Sequence, residues 1–127
     1  MVARRRIPSQ QGKQAIELVR QALAATDPAA SFQALPRASK AQAVRFLLEE
    51  LAAKAPGNSV EVRVPPYGVT QCIPGPRHTR GTPANVVEMD GLIWCSLGLG
   101  FIGWQQAKTQ ILASGLRADL SAWLPLF

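Results

Sequence analysis

From Gln14 onward, apolar residues fall at Ile16, Val19 and Leu23, with Ala15, Leu18 and Ala22 beside them. This is the stripe of an amphipathic helix, and Asp27-Pro28 closes it because a residue before proline avoids the α region. Residues 27–38 read as a linker rich in Pro, Ala and Ser. Ser39-Lys-Ala-Gln42 has the spacing of a capping box. Behind it Val44, Leu47, Leu48, Leu51 and Ala55 share one face, which predicts a helix over 40–55. Pro56-Gly57 ends it. The period then changes to two. Val60, Val62 and Val64 alternate with Glu61 and Arg63, Pro65-Pro66-Tyr67-Gly68 makes a turn, and VTQCI alternates again, so a hairpin is expected over 60–64 and 69–73. A loop spans 74–83, and NVVEM predicts a third strand over 85–89.

The last third is more apolar. Asp90 suits the N-cap of a helix over 91–98 carrying Leu92, Ile93, Trp94 and Leu97, with Gly98 and Gly100 at its end. A further short helix starts near Trp104 and contains Ala107. ILASG predicts a strand over 111–115, and ADLSAW opens a closing turn or helix with Leu120, Trp123 and Leu124. Helices and strands neither alternate strictly nor segregate. The order implies an α+β fold: a single twisted, mostly antiparallel sheet of four to five strands with helices packed on one face. Residues 1–12 carry charge, Gly and Gln without periodicity and are expected to form a flexible basic tail, leaving 13–127 as one domain.

Composition changes this picture little. The chain has 127 residues, enough for a real core without disulfides or metal. Its net charge of +6 has half its source in Arg4, Arg5 and Arg6. That excess favours solubility, and it leaves open transient contact with an anionic membrane. No aromatic-interleaved basic strand or recognition helix points to specific nucleic-acid binding. Two cysteines, Cys72 and Cys95, are too few for a secreted disulfide framework and read as reduced thiols of a cytoplasmic protein. Leu92 to Trp104 is the most apolar run. It is shorter than the roughly 20 residues a membrane-spanning helix needs.

The candidate chemistry sits in two places. Arg77, His78 and Arg80, bracketed by Pro74, Pro76 and Pro83, offer a stiffened cationic loop for a carboxylate or phosphate, or else an ordinary solvated connection. Trp94, Leu97, Phe101, Trp104, Trp123 and Leu124 either pack against one another or wall an apolar cavity. Cys72 with His78 invites a nucleophile–base reading, but Cys72 falls in a strand pattern and its residue type is mostly buried. A metal site is not expected, since one His and two Cys lack paired ligand spacing. GLGFIG at 98–103 does not have the spacing of a phosphate loop.

DGLIWCSLGLGFIGWQQAK followed by ILASGLRADLSAWLPLF is similar to the sterol carrier protein domain. More specifically, PRHTRGTP, NVVE and ASGLRADLS resemble the small bacterial sterol carrier family proteins, over about residues 40–127. The resemblance implies a five-stranded, mostly antiparallel sheet flanked by helices. It implies an internal apolar tunnel for fatty-acyl or sterol-like ligands, and carriage without turnover or cofactor. On this reading the six apolar residues line or back the cavity, and Arg77, His78 and Arg80 meet a polar head at its rim. The alternatives are a protein-interaction module on the same fold with no small ligand, and an enzyme using Cys72 or His78.

Overall fold

The computed structural model describes residues 6–76 and 85–127. Three helices precede the sheet: α1 (Ser9–Leu23), α2 (Pro28–Gln33) and α3 (Arg37–Lys54). Strands β1 (Val60–Val64), β2 (Gly68–Cys72) and β3 (Val86–Glu88) follow, then α4 (Gly91–Gly98), α5 (Trp104–Ala107) with a 3-10 turn over Lys108–Gln110, and β4 (Leu112–Ser114). The four strands lie in the order β2-β1-β3-β4. β1 pairs antiparallel with β2, β3 pairs antiparallel with β4, and the central β1–β3 pairing is parallel. The sheet is mixed and open, and the fold is α+β as expected. It has four strands among the described residues, within the four to five expected and one fewer than the resemblance implies.

Alternation decides which face of the sheet is covered. Val60, Val62, Val64 and Cys72 are fully buried beneath the helices, and Val87 joins them from β3. Glu61, Arg63 and Gln71 take the other face, where Glu61 accepts from Arg63 Nε and, at 2.8 Å, from Gln71 Nε2. Burying each of these valines is worth about 1.5–3 kcal/mol. A one-residue slip would exchange the whole buried row for the charged one.

α3 is the central helix. Ala43, Val44, Phe46, Leu47 and Leu51 are all 0–1% exposed, a spread too wide for one face. A helix apolar on several sides is a helix with neighbours on several sides. α1 lies against it where Gly12 meets Phe46, α4 where Gly98 meets Leu47, and β2 where Gly68 meets Leu48. Trp94 of α4 is wholly buried and donates from Nε1 to the carbonyl of Val44 at 3.2 Å, so its one polar atom is satisfied inside the core.

Several expected boundaries move. α3 begins at Arg37 behind Pro36 and has no side-chain cap. The capping box expected at Ser39 is therefore not formed, and Gln42 instead donates to Gln11 Oε1 of α1 at 3.3 Å. The expected linker over 27–38 contains α2, whose first turn Asp27 caps through Ala30 N at 3.1 Å and whose Phe32 is 1% exposed. α1 starts at Ser9, inside the stretch expected to be a flexible tail. Its first turn shows no apolar stripe because its contact with α3 is made by the absence of a side chain. A Cβ at Gly12 would stand 2.2 Å from Phe46 Cδ1. Of the turn or helix expected at the C-terminus, a turn over 121–123 is what forms. By contrast, α4 runs over 91–98 as expected, with Asp90 Oδ1 accepting from Ile93 N at 2.8 Å.

Two stability measurements check this account. Gly12→Ala gains about 1 kcal/mol of helix propensity but must displace a buried ring, which costs about 1–3 kcal/mol. Urea denaturation should show net destabilisation, and a stabilised variant would refute the close α1–α3 contact. Asp90→Ala should cost about 1 kcal/mol through loss of the α4 cap.

Candidate functional site

The C-terminal segment, after β4, runs along the edge of the cleft. Leu120 is fully buried and anchors it. Trp123 N donates to Leu120 O at 2.9 Å, closing the turn. Beyond it the chain returns to the end of α4, where Gly98 O accepts from Leu126 N at 2.8 Å and from Phe127 N at 3.2 Å. Lys54, at the end of α3, donates from Nζ to Trp123 O at 3.1 Å and to Pro125 O at 3.3 Å. Phe127 stacks on Phe46 with ring centroids 6.2 Å apart and planes inclined by 17°.

Opposite this segment the chain leaves α4 through Gly100, whose φ of 79° is the left-handed conformation glycine permits. Phe101 N and Ile102 N both donate to Ser96 O, at 2.8 and 3.3 Å, and turn the chain into α5. Gln106 Oε1 accepts from Gly103 N at 2.8 Å and holds the first turn of α5. Between these two walls lies a cleft of about 270 Å³. Leu97, Ile102, Trp104, Leu124 and Pro125 supply its apolar surface, while Gln105, Gln106 and Ser121 give it a polar lip. The amide of Ser121 donates to Asp119 Oδ1 at 2.8 Å, and this bonding to Ser121 holds the Asp119 carboxyl below its ordinary range.

The structure brings together three of the six apolar residues singled out in the sequence: Leu97, Trp104 and Leu124 line the cleft. Trp94 is in the closed core and not at its wall. Phe101 is 39% exposed and is not part of the lining, and Trp123 is half-buried, contributing its carbonyl to Lys54. Ile102 and Pro125 line the cleft without having been singled out; both adjoin residues that turn the chain, a signal visible only once the turns are placed. Arg77, His78 and Arg80 lie outside the described residues.

The two thiols are core side chains. Cys72 and Cys95 are each 0% exposed and unpaired. Burial pushes the Cys72 thiol up to about 12, and burial, with a smaller contribution from the Asp90 carboxylate, does the same for Cys95. A thiol so protonated is a poor nucleophile at neutral pH. No group of three or more His, Cys, Asp or Glu among the described residues is placed to hold a metal ion. No helix among them is long and apolar enough to cross a membrane.

The model of the bacterial SCP ortholog family matches residues 36–126, and the chain belongs to that family. The match begins at α3 and takes in the whole sheet and both walls of the cleft, while α1 and α2 lie before it. No curated protein matches the chain.

The thiols yield a prediction with a definite sign. Their folded values, raised to about 12 from an ordinary 9.0, mean that the native state holds protons the unfolded state releases. Their contribution to stability is therefore complete below pH 9 and falls as pH rises from about 9 toward 12. A thiol-reactive chromophore at pH 8 should label neither cysteine in the native protein and both in denaturant; rapid native labelling of Cys72 would contradict its placement.

Proposed function

We propose that the protein is a non-catalytic carrier that holds the hydrocarbon part of a fatty-acyl or sterol-like molecule in the cleft between α4–α5 and the C-terminal segment. The observation that carries this reading is the cleft itself, with its Leu97, Ile102, Trp104, Leu124 and Pro125 surface. Membership of the bacterial SCP family supports it. A volume of about 270 Å³ sits at the lower end of the range for small-molecule sites, about 300–1,000 Å³. It suits a narrow alkyl chain better than a broad fused ring. At roughly 0.8 kcal/mol per methylene, about ten buried methylenes match the free energy of a micromolar complex before the loss of ligand freedom is subtracted.

The absence of turnover is part of the proposal. Two buried, protonated thiols argue against nucleophilic chemistry at Cys72 or Cys95. Both cysteines are also free, which accords with a reducing, cytoplasmic setting.

Titration of the purified protein with palmitate, followed by tryptophan fluorescence, should show saturable binding at micromolar concentration. Leu124→Gln replaces a half-buried apolar wall with an amide and should weaken binding by about tenfold, with little change in melting temperature. Unchanged affinity in that variant would remove the cleft as the site; no saturable binding to palmitate or to an acyl-coenzyme A analogue would remove the carrier reading.

A further inference from the structure

β2 is an outermost strand of the sheet, and a groove of about 560 Å³ lies between its edge and α3. Hydrogen-bond alternation shows what that edge presents. Glu61 N donates to Asn85 O and Met89 N donates to Arg63 O, so Glu61 and Arg63 direct their backbone groups toward β3. Successive residues of a strand bond to opposite sides, so Val62 and Val64 face β2, where Thr70 and Gly68 are their partners. Val69 and Gln71, on the odd positions, therefore turn their N–H and C=O groups outward. In the turn before β2, Tyr67 N donates back to Val64 O at 2.9 Å while its carbonyl accepts from Arg45 Nε at 2.6 Å.

The groove along this edge has a definite chemistry. Ile7 and Leu48 give it apolar surface, and the guanidinium-bearing Arg6 and Arg45 border it. Glu49 is the carboxylate in its lining, and it is engaged by backbone amides, accepting from Arg6 N at 3.1 Å and Ile7 N at 3.3 Å. β2 itself, GVTQC, carries no charge that would turn an added strand away.

We propose that this groove binds an extended acidic peptide segment of a partner protein, taken up as an additional strand on β2. The outward groups of Val69 and Gln71 supply the main-chain hydrogen bonds that set its register. Alternate side chains of the added strand then fall between β2 and α3, where carboxylates meet Arg45 and Arg6 and apolar residues meet Leu48. Charge complementarity selects this occupant. Two guanidinium groups face one engaged carboxylate, on a chain of net charge +6. The site is separate from the C-terminal cleft and does not depend on an apolar ligand there.

The test is anisotropy titration of the full chain with a fluorescein-labelled hexapeptide alternating glutamate with valine. A second peptide replaces glutamate by lysine. Saturable binding of the acidic peptide at least tenfold tighter than the basic one is expected, together with amide chemical-shift changes at Val69 and Gln71. Arg45→Glu should lower the acidic peptide's affinity at least tenfold. Because that substitution also removes the bond to Tyr67 O, the shifts in the unaltered protein stand as the independent readout. The proposal is overturned by equal binding of both peptides, by no saturable binding, or by shifts confined to the C-terminal cleft. It is equally overturned if the edge instead pairs two copies of the chain, seen as concentration-dependent sedimentation, or if only vesicles containing phosphatidylserine bind it.

Discussion

The burial of α3 on several sides is the constraint from which the rest of the molecule follows. Its contacts with α1, α4 and β2 all involve a glycine of the neighbouring element: Gly12 against Phe46, Gly98 against Leu47, and Gly68 against Leu48. Close approach of backbones at these three points is what lets one helix of 18 residues hold three neighbours at once. It also leaves few places on α3 for a charge. Four of those it has reach another element: Lys40 the carbonyl of Gln33, Arg45 that of Tyr67, Glu49 the amides of Arg6 and Ile7, and Lys54 the C-terminal turn. α3 thus acts as the hub of the core through its apolar residues and as the fastening point of the periphery through its polar ones.

That arrangement explains why the molecule's two candidate binding places are so unlike. The cleft lies where α4 ends and the C-terminal segment returns, far along the chain from any charged run, and its surface is mostly hydrocarbon. The groove beside β2 lies where α3 runs out of sheet to cover, so it combines apolar floor, guanidinium groups and open backbone positions. Neither borrows a residue from the other.

Much of the fold was legible in the sequence, because the buried rows follow their periods. Val60, Val62 and Val64 alternate cleanly, and Asp90 caps α4 as its residue type and position predict. The parallel β1–β3 pairing was not legible, since alternation says which face a residue takes and nothing of which strand lies alongside. The start of α1 was hidden for a different reason: its contact is a missing side chain at Gly12, and a pattern of apolar residues cannot register that. The site was legible in part. Leu97, Trp104 and Leu124 converge, but Trp94 sits on the core side of α4, bonded to Val44 O. Aromatic residues cluster in this stretch of sequence, and clustering alone does not separate those that fill a core from those that border a space. The β2 groove carried no compositional signal, because half of what defines it is main chain.

The C-terminal segment is secured by buried Leu120, by Trp123, Leu124 and Leu126 packed against the core, and by polar bonds and one ring stack: two amides on Gly98 O, one ammonium on two carbonyls, and Phe127 on Phe46. Each such bond is worth only about 0.5–1.5 kcal/mol net, and the segment contributes no strand to the sheet. Leu124 and Pro125 belong both to this segment and to the cleft wall, so whatever loosens the fastenings at Gly98 and Lys54 also moves that wall.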